Sequence, residues 1–228
     1  MLGKTDIAVG GRRFAPFLQV IRERASGRAA GHELLLRPID GWGEVSATAA
    51  GLDRLDESCA RALDLQVLSW LPRAARANWL PAGGTLFVNL YLSTLLSVPA
   101  RTFDALRRAR AECRTSLGVE LNEESYRVVP PGTGERLEEI RRAGVHVMLD
   151  DLDGHHELGR LERLRPALDG VKVIAKEAAN ERMHSWLQTQ AFNWTVSEQA
   201  PGSEVFTHEQ HFGIGRPCAV IEQKFTKP

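Results

Sequence analysis

Residues 145–151 read Val-His-Val-Met-Leu-Asp-Asp, an apolar run that closes on two acidic side chains. An apolar run of this length, bounded by turn residues, is typical of a buried β-strand. A carboxylate in or at the end of a buried strand costs free energy unless a metal ion, another cation or hydrogen bonds compensate its charge. The stretch therefore predicts a strand that leads into a charge-compensated polar site.

The same pattern recurs along the chain, each time as a short apolar run that contains or ends on a polar side chain. The further runs are GHELLLR at Glu33, LFVNL at Asn89, GVELNEE at Glu120, GVKVI at Lys172 and WTVSE at Glu198. One such run could be an accident of structure. Six in succession predict strands of one barrel that converge on a polar, metal-binding mouth.

Helix-like segments separate these strands. Helices are predicted over about 52–77, 102–112, 134–142, 158–164 and 177–190, and Pro72 is expected to break or kink the first. The strands 14–20 and 29–33, joined by a short polar turn, predict a hairpin. Strands separated by helices favour parallel pairing. We therefore predict an α/β fold, a modified TIM-like barrel with mostly parallel strands and one antiparallel strand, as a single domain over residues 1–228.

Composition is that of an ordinary globular protein. The chain has 228 residues, of which 43% are hydrophobic and 25% charged, and its formal net charge is zero. We therefore expect no nucleic-acid polymer as partner, and no membrane association, because no apolar run approaches the roughly 18 residues of a membrane span. An N-terminus without an apolar export segment predicts the cytoplasm. Cys59, Cys113 and Cys218 are widely spaced and predict reduced thiols.

The acidic pair Asp150–Asp151 favours a bound cation, because two adjacent carboxylates repel each other. The alternative is a helix N-cap followed by a first-turn acid. Lys172 lies inside an apolar strand, where a lysine is hard to bury unless it meets a carboxylate or a polarised water. Its alternative role is to pair with Asp150 or Asp151 in a metal-free barrel.

The other candidates also admit structural interpretations. Glu33 is four residues from Arg37 on the same strand face and could form a salt bridge with it. Glu120 could pair with an arginine, and Asn89 could be a strand-end turn residue. Arg37 itself could lie on the surface, and Gln210 could be a satisfied loop amide.

With these residues in view, the chain resembles the EAL domain, the phosphodiesterase and receptor family for the bacterial messenger cyclic di-GMP. The motifs keep the family's order and span nearly the whole chain. They are Glu33-Leu34-Leu35-Leu36-Arg37, Val88-Asn89-Leu90-Tyr91, Glu120-Leu121-Asn122-Glu123, Asp150-Asp151-Leu152-Asp153, Lys172, and Gln210 to Pro217.

The resemblance implies hydrolysis of one phosphodiester bond of cyclic di-GMP to linear pGpG by two magnesium or manganese ions. It implies a first metal at Glu33, Asn89, Glu120 and Asp150, and a second metal shared by Asp150 and completed by Asp151 and Glu198. It places Lys172 beside the nucleophilic water. It further implies that Arg37 grips a phosphate, that Gln210 contacts the ligand or the second metal, and that Glu123 anchors a loop.

Three departures from the family pattern support an alternative, a catalytically inactive module that binds cyclic di-GMP or a protein partner as a regulator. The loop after Asp151 reads LDGHHEL, and the family's Ala-Glu-Gly-Val-Glu-Thr is reduced to residues 197–200. Ala15 stands where the family's early strand has glutamine. Because the altered loop carries the family's dimer contact, a homodimer stays an open expectation.

Overall fold

A computed structural model describes residues 6–40, 45–46, 52, 55–121, 129–152, 162–174, 180–198, 206–210 and 216–217. Ten strands occur in this part of the chain. They are β1 (Ile7–Val9), β2 (Arg12–Glu23), β3 (Ala29–Ile39), β4 (Thr85–Leu90), β5 (Ser116–Leu121), β6 (Val145–Leu152), β7 (Gly170–Val173), β8 (Trp194–Glu198), β9 (His208–Gln210) and β10 (Arg216–Pro217).

Eight of these strands close into a barrel. Strands β2 to β9 are neighbours in chain order, and β9 pairs back to β2. Strands β3 to β9 are mutually parallel, whereas β2 is antiparallel to both β3 and β9. This confirms the predicted TIM-like α/β barrel with one antiparallel strand. The short strands β1 and β10, which the sequence analysis did not predict, add to β2 in antiparallel fashion.

The described helices lie between successive strands. They are α1 (Glu57–Arg76), α2 (Leu92–Ser97), α3 (Pro99–Glu112), α4 (Thr133–Arg142) and α5 (Glu181–Thr189), with helical residues 162–164 leading into a 3₁₀ turn, Arg165–Ala167. Two of these helices, α1 and α5, begin with a side-chain cap. The Asp56 side chain accepts a hydrogen bond from the Cys59 amide, and Asn180 caps α5 in the same way.

Several predicted boundaries were wrong. Helix α1 begins at Glu57, not near 52, because Asp56 caps it, and Pro72 lies within the helix without ending it. Helix α3 begins at Pro99, since proline suits the first helical turn. Strand β6 continues to Leu152, so the pair Asp150–Asp151 lies within the strand and does not end it.

Most buried hydrophobic side chains pack around the barrel or inside it, and a third, small cluster forms around Ala15 and Phe17 of β2. The larger cluster fills the space between the helices and the outer barrel face. A smaller cluster, formed by Ile21, Phe87, Met148 and Val196 with Trp194 against it, fills the lower interior. A Cβ at Gly118 would lie 2.4 Å from the Phe87 ring, so that ring needs a glycine beside it. The lower end of the barrel is thus a packed core.

The structure also bears on the predictions about a membrane span and about the cysteines. Among the described residues no helix combines the length and the apolarity needed to cross a membrane. Cys59 and Cys113 carry free thiols. Cys218 lies outside the described residues.

Candidate active site

Three carboxylates from three strands meet at the upper, carboxyl-terminal end of the barrel. Glu33 of β3, Glu120 of β5 and Asp150 of β6 each offer an oxygen, and these oxygens lie within 4.8 Å of one another. All three side chains are buried, with Glu120 wholly inaccessible. Because the strands are parallel, residues at their carboxyl ends share one mouth, as the sequence pattern predicted.

Lys172 of β7 occupies the centre of this group. Its Nζ lies 2.8 Å from Glu120 Oε2, 2.8 Å from Asp150 Oδ1 and 3.1 Å from Glu33 Oε2. The lysine is only 2% exposed. A buried ammonium needs such partners, so the sequence interpretation of Lys172 as carboxylate-paired agrees with the geometry. These are also the contacts that the metal-free alternative requires.

The charges in this group do not cancel. Three carboxylates at −1 each and one ammonium at +1 leave a net charge of −2 when all are ionised. Burial raises the pKa of Glu120 well above its ordinary value, and the nearby Glu33 carboxylate raises it further. Burial likewise raises the pKa of Asp150 to about 7, against the opposing charge of Lys172. The site has an affinity for additional positive charge.

Glu33 differs from its two neighbours. Burial alone would raise its pKa, but the charge of Lys172 and hydrogen bonds from Gln210, Asn89 and Lys172 lower it overall. Gln210 Nε2 donates to Glu33 Oε2 at 2.6 Å, and Asn89 Nδ2 donates to Oε1 at 2.9 Å. Glu33 is therefore the carboxylate most firmly held as an anion.

Asp150 and Asp151 both line the same cavity, although consecutive strand residues normally face opposite sides. Asp151 has a positive φ of 52°, and the pairing of β6 with β7 shifts register between Leu149 and Leu152. Aspartate tolerates this left-handed conformation better than most residues. The irregularity re-aims the second carboxylate towards the first, as β-bulges near active sites do.

A cavity of about 390 Å³ opens above the carboxylates. This volume falls in the range of roughly 300–1,000 Å³ that is usual for small-molecule sites. Glu33, Asp150 and Lys172 line it together with apolar side chains from β3 and α1, including Leu36, Leu63 and Val67. It thus combines a charged floor with hydrophobic walls.

Arg37 also lines the cavity, and it is 9% exposed. Its Nε has no hydrogen-bond partner within the described part of the chain. Glu33 pairs with Lys172, so the proposed Glu33–Arg37 salt bridge is not what satisfies Glu33. A buried guanidinium with an unused donor at a cavity wall suits an anionic ligand.

Two cavity-lining residues were missed by the sequence analysis. Gln19 lies directly across the hairpin from Glu33 and is 7% exposed. A glutamine is therefore present in the cavity although Ala15 is not one. Asp64 is a buried acid on α1, and burial raises its pKa to about 7. Its signal was a polar residue in an otherwise apolar helical stripe of Ala60, Leu63 and Val67.

The remaining predicted site residues are described only in part or lie outside the described residues. The backbone of Glu198 ends β8 and pairs with Gln210, but its side chain is not among those described. Glu123, the loop from Asp153 and residues 199–200 lie outside the described residues.

The donor set fits a hard divalent cation. Carboxylate and amide oxygens are the ligands that Mg²⁺ and Mn²⁺ prefer. Glu120 Oε1 and Gln210 Oε1 are both buried and have no hydrogen-bond partner among the described residues. Buried acceptors without donors, beside an excess of negative charge, indicate that the group can accept a cation in addition to Lys172.

No model of a known protein family matches the chain, and no curated protein matches it. Solved structures do share its fold. The Klebsiella pneumoniae protein BlrP1, in a complex with manganese and cyclic di-GMP, gives a TM-score of 0.68 at 18% identity, over 96% of this chain and 57% of that one. The PaMucR phosphodiesterase, in a complex with cyclic di-GMP, gives 0.65 at 22% identity, over 92% and 99% of the two chains.

An EAL domain protein from Listeria monocytogenes EGD-e gives a TM-score of 0.64 at 17% identity, over 93% of this chain and 92% of that one. The chain spans little more than half the length of BlrP1 and almost the full length of the MucR chain. At these identities the likeness concerns the fold. By its barrel topology and by these superpositions, the chain has the fold of the EAL domain.

Proposed function

We propose that this protein hydrolyses one phosphodiester bond of cyclic di-GMP to give linear pGpG. The observation that carries the proposal is the buried group of Glu33, Glu120 and Asp150 around Lys172, on the floor of a cavity at the barrel mouth. The BlrP1 and MucR structures, which share the fold, contain cyclic di-GMP, and the first also contains manganese.

Glu33, Asn89, Glu120 and Asp150 would hold one magnesium or manganese ion, and Asp150, Asp151 and Glu198 a second. Two such ions, when bound, neutralise the phosphate and activate the attacking water. The carboxylates of this chain determine where the positive charge of the ions would lie. Their spacing is fixed, since the strands that carry them are held together by ladder hydrogen bonds.

Lys172 Nζ, held as an ammonium at 2.8 Å from both Glu120 and Asp150, would orient the attacking water by donating a hydrogen bond to it once a bound ion displaces Lys172 from one carboxylate. Arg37 holds the scissile phosphate through its fork of donors. Gln210, fixed by its hydrogen bond to Glu33, offers its Oε1 to the ligand or the second ion.

One observation favours a second function. Lys172 already contacts all three carboxylates, which is the arrangement expected of a barrel that works without metal. In that case the protein is a regulator that binds cyclic di-GMP, or a protein partner, without turnover. The altered loop after Asp151 supports the same alternative.

The test is turnover and binding measured side by side on labelled cyclic di-GMP, with and without added magnesium or manganese. The phosphodiesterase proposal expects metal-dependent formation of linear pGpG. Binding without product above a no-enzyme control would indicate the receptor. Absence of both would leave only a protein partner. Arg107→Ala serves as a surface control, because Arg107 is exposed on α3 and pairs there with Asp104 of the same helix.

A further inference from the structure

Asp64 is a buried acid on α1 that contacts no basic side chain among the described residues. It is 4% exposed. Its Oδ2 accepts two hydrogen bonds, from the Tyr91 backbone amide at 3.0 Å and from the Thr94 hydroxyl. Both donors lie in residues 91–94, the turn that joins β4 to α2 and includes the first residues of that helix. A carboxylate on one helix thus anchors a turn 27 residues further along the chain.

This turn has no side-chain cap of its own. It leads into α2, which has only six residues. The N-cap residue of that helix, Tyr91, makes no side-chain capping bond. An uncapped helix start leaves backbone amides without partners. Asp64 instead accepts from the backbone amide of the N-cap residue Tyr91 itself, which is the bond that the second side chain of a capping box would make. The Thr102 hydroxyl of α3 donates mainly to the backbone oxygen of Val98, which follows α2, at 3.0 Å, and reaches the Thr94 oxygen only at 3.5 Å.

Asn89 lies near the end of β4, two residues before Tyr91. Asn89 is exposed, in contrast to the buried carboxylates beside it. Its Nδ2 nevertheless donates to Glu33 Oε1 at 2.9 Å. An exposed amide keeps one orientation only if its backbone is fixed. The Asn89 backbone pairs with β5, but the pairing of β4 with β3 ends at Val88, and the next anchor along the chain is the pair of bonds to Asp64.

We propose that Asp64 is a positioning residue that holds the turn after β4 so that Asn89 presents its amide to the Glu33 side of the carboxylate group. The expected effect on metal affinity rests on the proposed function. The expected effect on the orientation of the Asn89 amide does not, because it concerns only residues of this chain. Residues that orient metal ligands typically alter metal affinity by roughly 10–100-fold when they are removed.

The first experiment measures Mn²⁺ affinity by calorimetry, without nucleotide, for wild type, Asp64→Ala, Asn89→Ala and the double variant. We expect each single change to weaken binding roughly tenfold. If Asp64 acts through Asn89, the double variant binds no more weakly than Asn89→Ala. Asp64→Asn keeps an acceptor for both donors and should bind like wild type. Additive losses in the double variant, or wild-type affinity in Asp64→Ala, would overturn the inference.

The second experiment uses the metal-free protein and separates this inference from the proposed function. The side-chain amide signals of Asn89 in a nitrogen–proton NMR spectrum report its hydrogen bond to Glu33. They should shift in Asp64→Ala and stay in place in Asp64→Asn. Thr102→Val, which removes another hydroxyl near the same turn, should leave them in place. Unchanged signals in Asp64→Ala would contradict the inference.

The Mn²⁺ affinity and the NMR signals of Asn89 test different claims, so a negative result in one does not decide the other. A wild-type protein that binds no Mn²⁺ would refute the proposed metal site, while the NMR comparison would still decide the role of Asp64. If Asp64→Ala does not fold, Thr94→Val removes one of the two donors and keeps the carboxylate. It should then shift the Asn89 signals more than Thr102→Val does, and equal shifts would overturn the inference.

Discussion

The two ends of the barrel interior are built from the same strands and differ completely in chemistry. Along β4 the inward residues are Phe87 and then Asn89, and along β6 they are Met148 and then Asp150. Each pair is separated by two positions, the spacing that returns a strand side chain to the same face. The lower layer is apolar and the upper layer polar, so stability and chemistry are assigned to successive layers of one scaffold.

The layers also differ in whether their buried groups have interaction partners within the protein. In the lower layer Phe87 is fully buried, and its ring meets the Trp194 ring edge-on at 5.1 Å. In the upper layer Glu120 Oε1 and Gln210 Oε1 have no hydrogen-bond partner among the described residues. The lower layer is complete without a ligand, and the upper layer is not. This difference yields four predictions, taken from the largest expected effect to the smallest.

Glu33→Ala should abolish turnover while the fold is kept. Loss of a metal ligand removes several kcal/mol of transition-state stabilisation, which corresponds to roughly a thousandfold or more in rate. The measurement is product formation from labelled cyclic di-GMP, with circular dichroism as the check on folding. Turnover close to wild type in a folded variant would show that the upper layer is not the reaction site.

Lys172→Met should destabilise the metal-free protein by about 3–5 kcal/mol, because it leaves three buried carboxylates without their cation. Added Mn²⁺ should recover part of this loss, since a ligand that binds only the folded state stabilises it. Urea unfolding with and without Mn²⁺ measures both effects. A variant as stable as wild type without metal would mean that the carboxylates are already protonated.

Gly118→Ala should cost about 1–3 kcal/mol, as overpacking does. The added methyl would lie 2.4 Å from the Phe87 ring in the lower layer. The second change Phe87→Leu should relieve much of this cost, and Mn²⁺ affinity should stay unchanged in both variants. If Gly118→Ala weakened Mn²⁺ binding as strongly as it lowered stability, the two layers would not be independent.

Asp64 should make the free energy of unfolding depend on pH. Its pKa is raised from 3.8 to about 7, so the folded state binds an extra proton between these values. Stability therefore decreases as the pH rises through that window. Relative to Asp64→Asn, wild type should lose about 1 kcal/mol between pH 6 and pH 7. Parallel pH profiles of the two proteins in urea unfolding would contradict this.

The sequence predicted the barrel and the main carboxylates because short continuous apolar runs separated by helices mark parallel strands, whose carboxyl ends share one mouth. It also indicated that Lys172 would meet carboxylates. Gln19 was missed because its position opposite Glu33 depends on the hairpin register. The positive φ of Asp151, which turns a second carboxylate into the cavity, arises from a register shift between β6 and β7. Neither feature leaves a local sequence signal.

The start of α1 and the burial of Asp64 differ from these two features, because both had a local sequence signal. The cap at Asp56 and the polar residue in an apolar helical stripe were both readable in principle. What could not be read was the partner of Asp64, because the Tyr91 amide and the Thr94 hydroxyl come near it only through the packing of α1 on the turn after β4.

Anomalous diffraction from crystals soaked in Mn²⁺ tests most directly whether the upper layer takes a cation. We expect a strong peak within bonding distance of oxygens of Glu33, Glu120 and Asp150, with Lys172 displaced from at least one of them. A Mn²⁺ peak elsewhere, with Lys172 still contacting all three carboxylates, would contradict it.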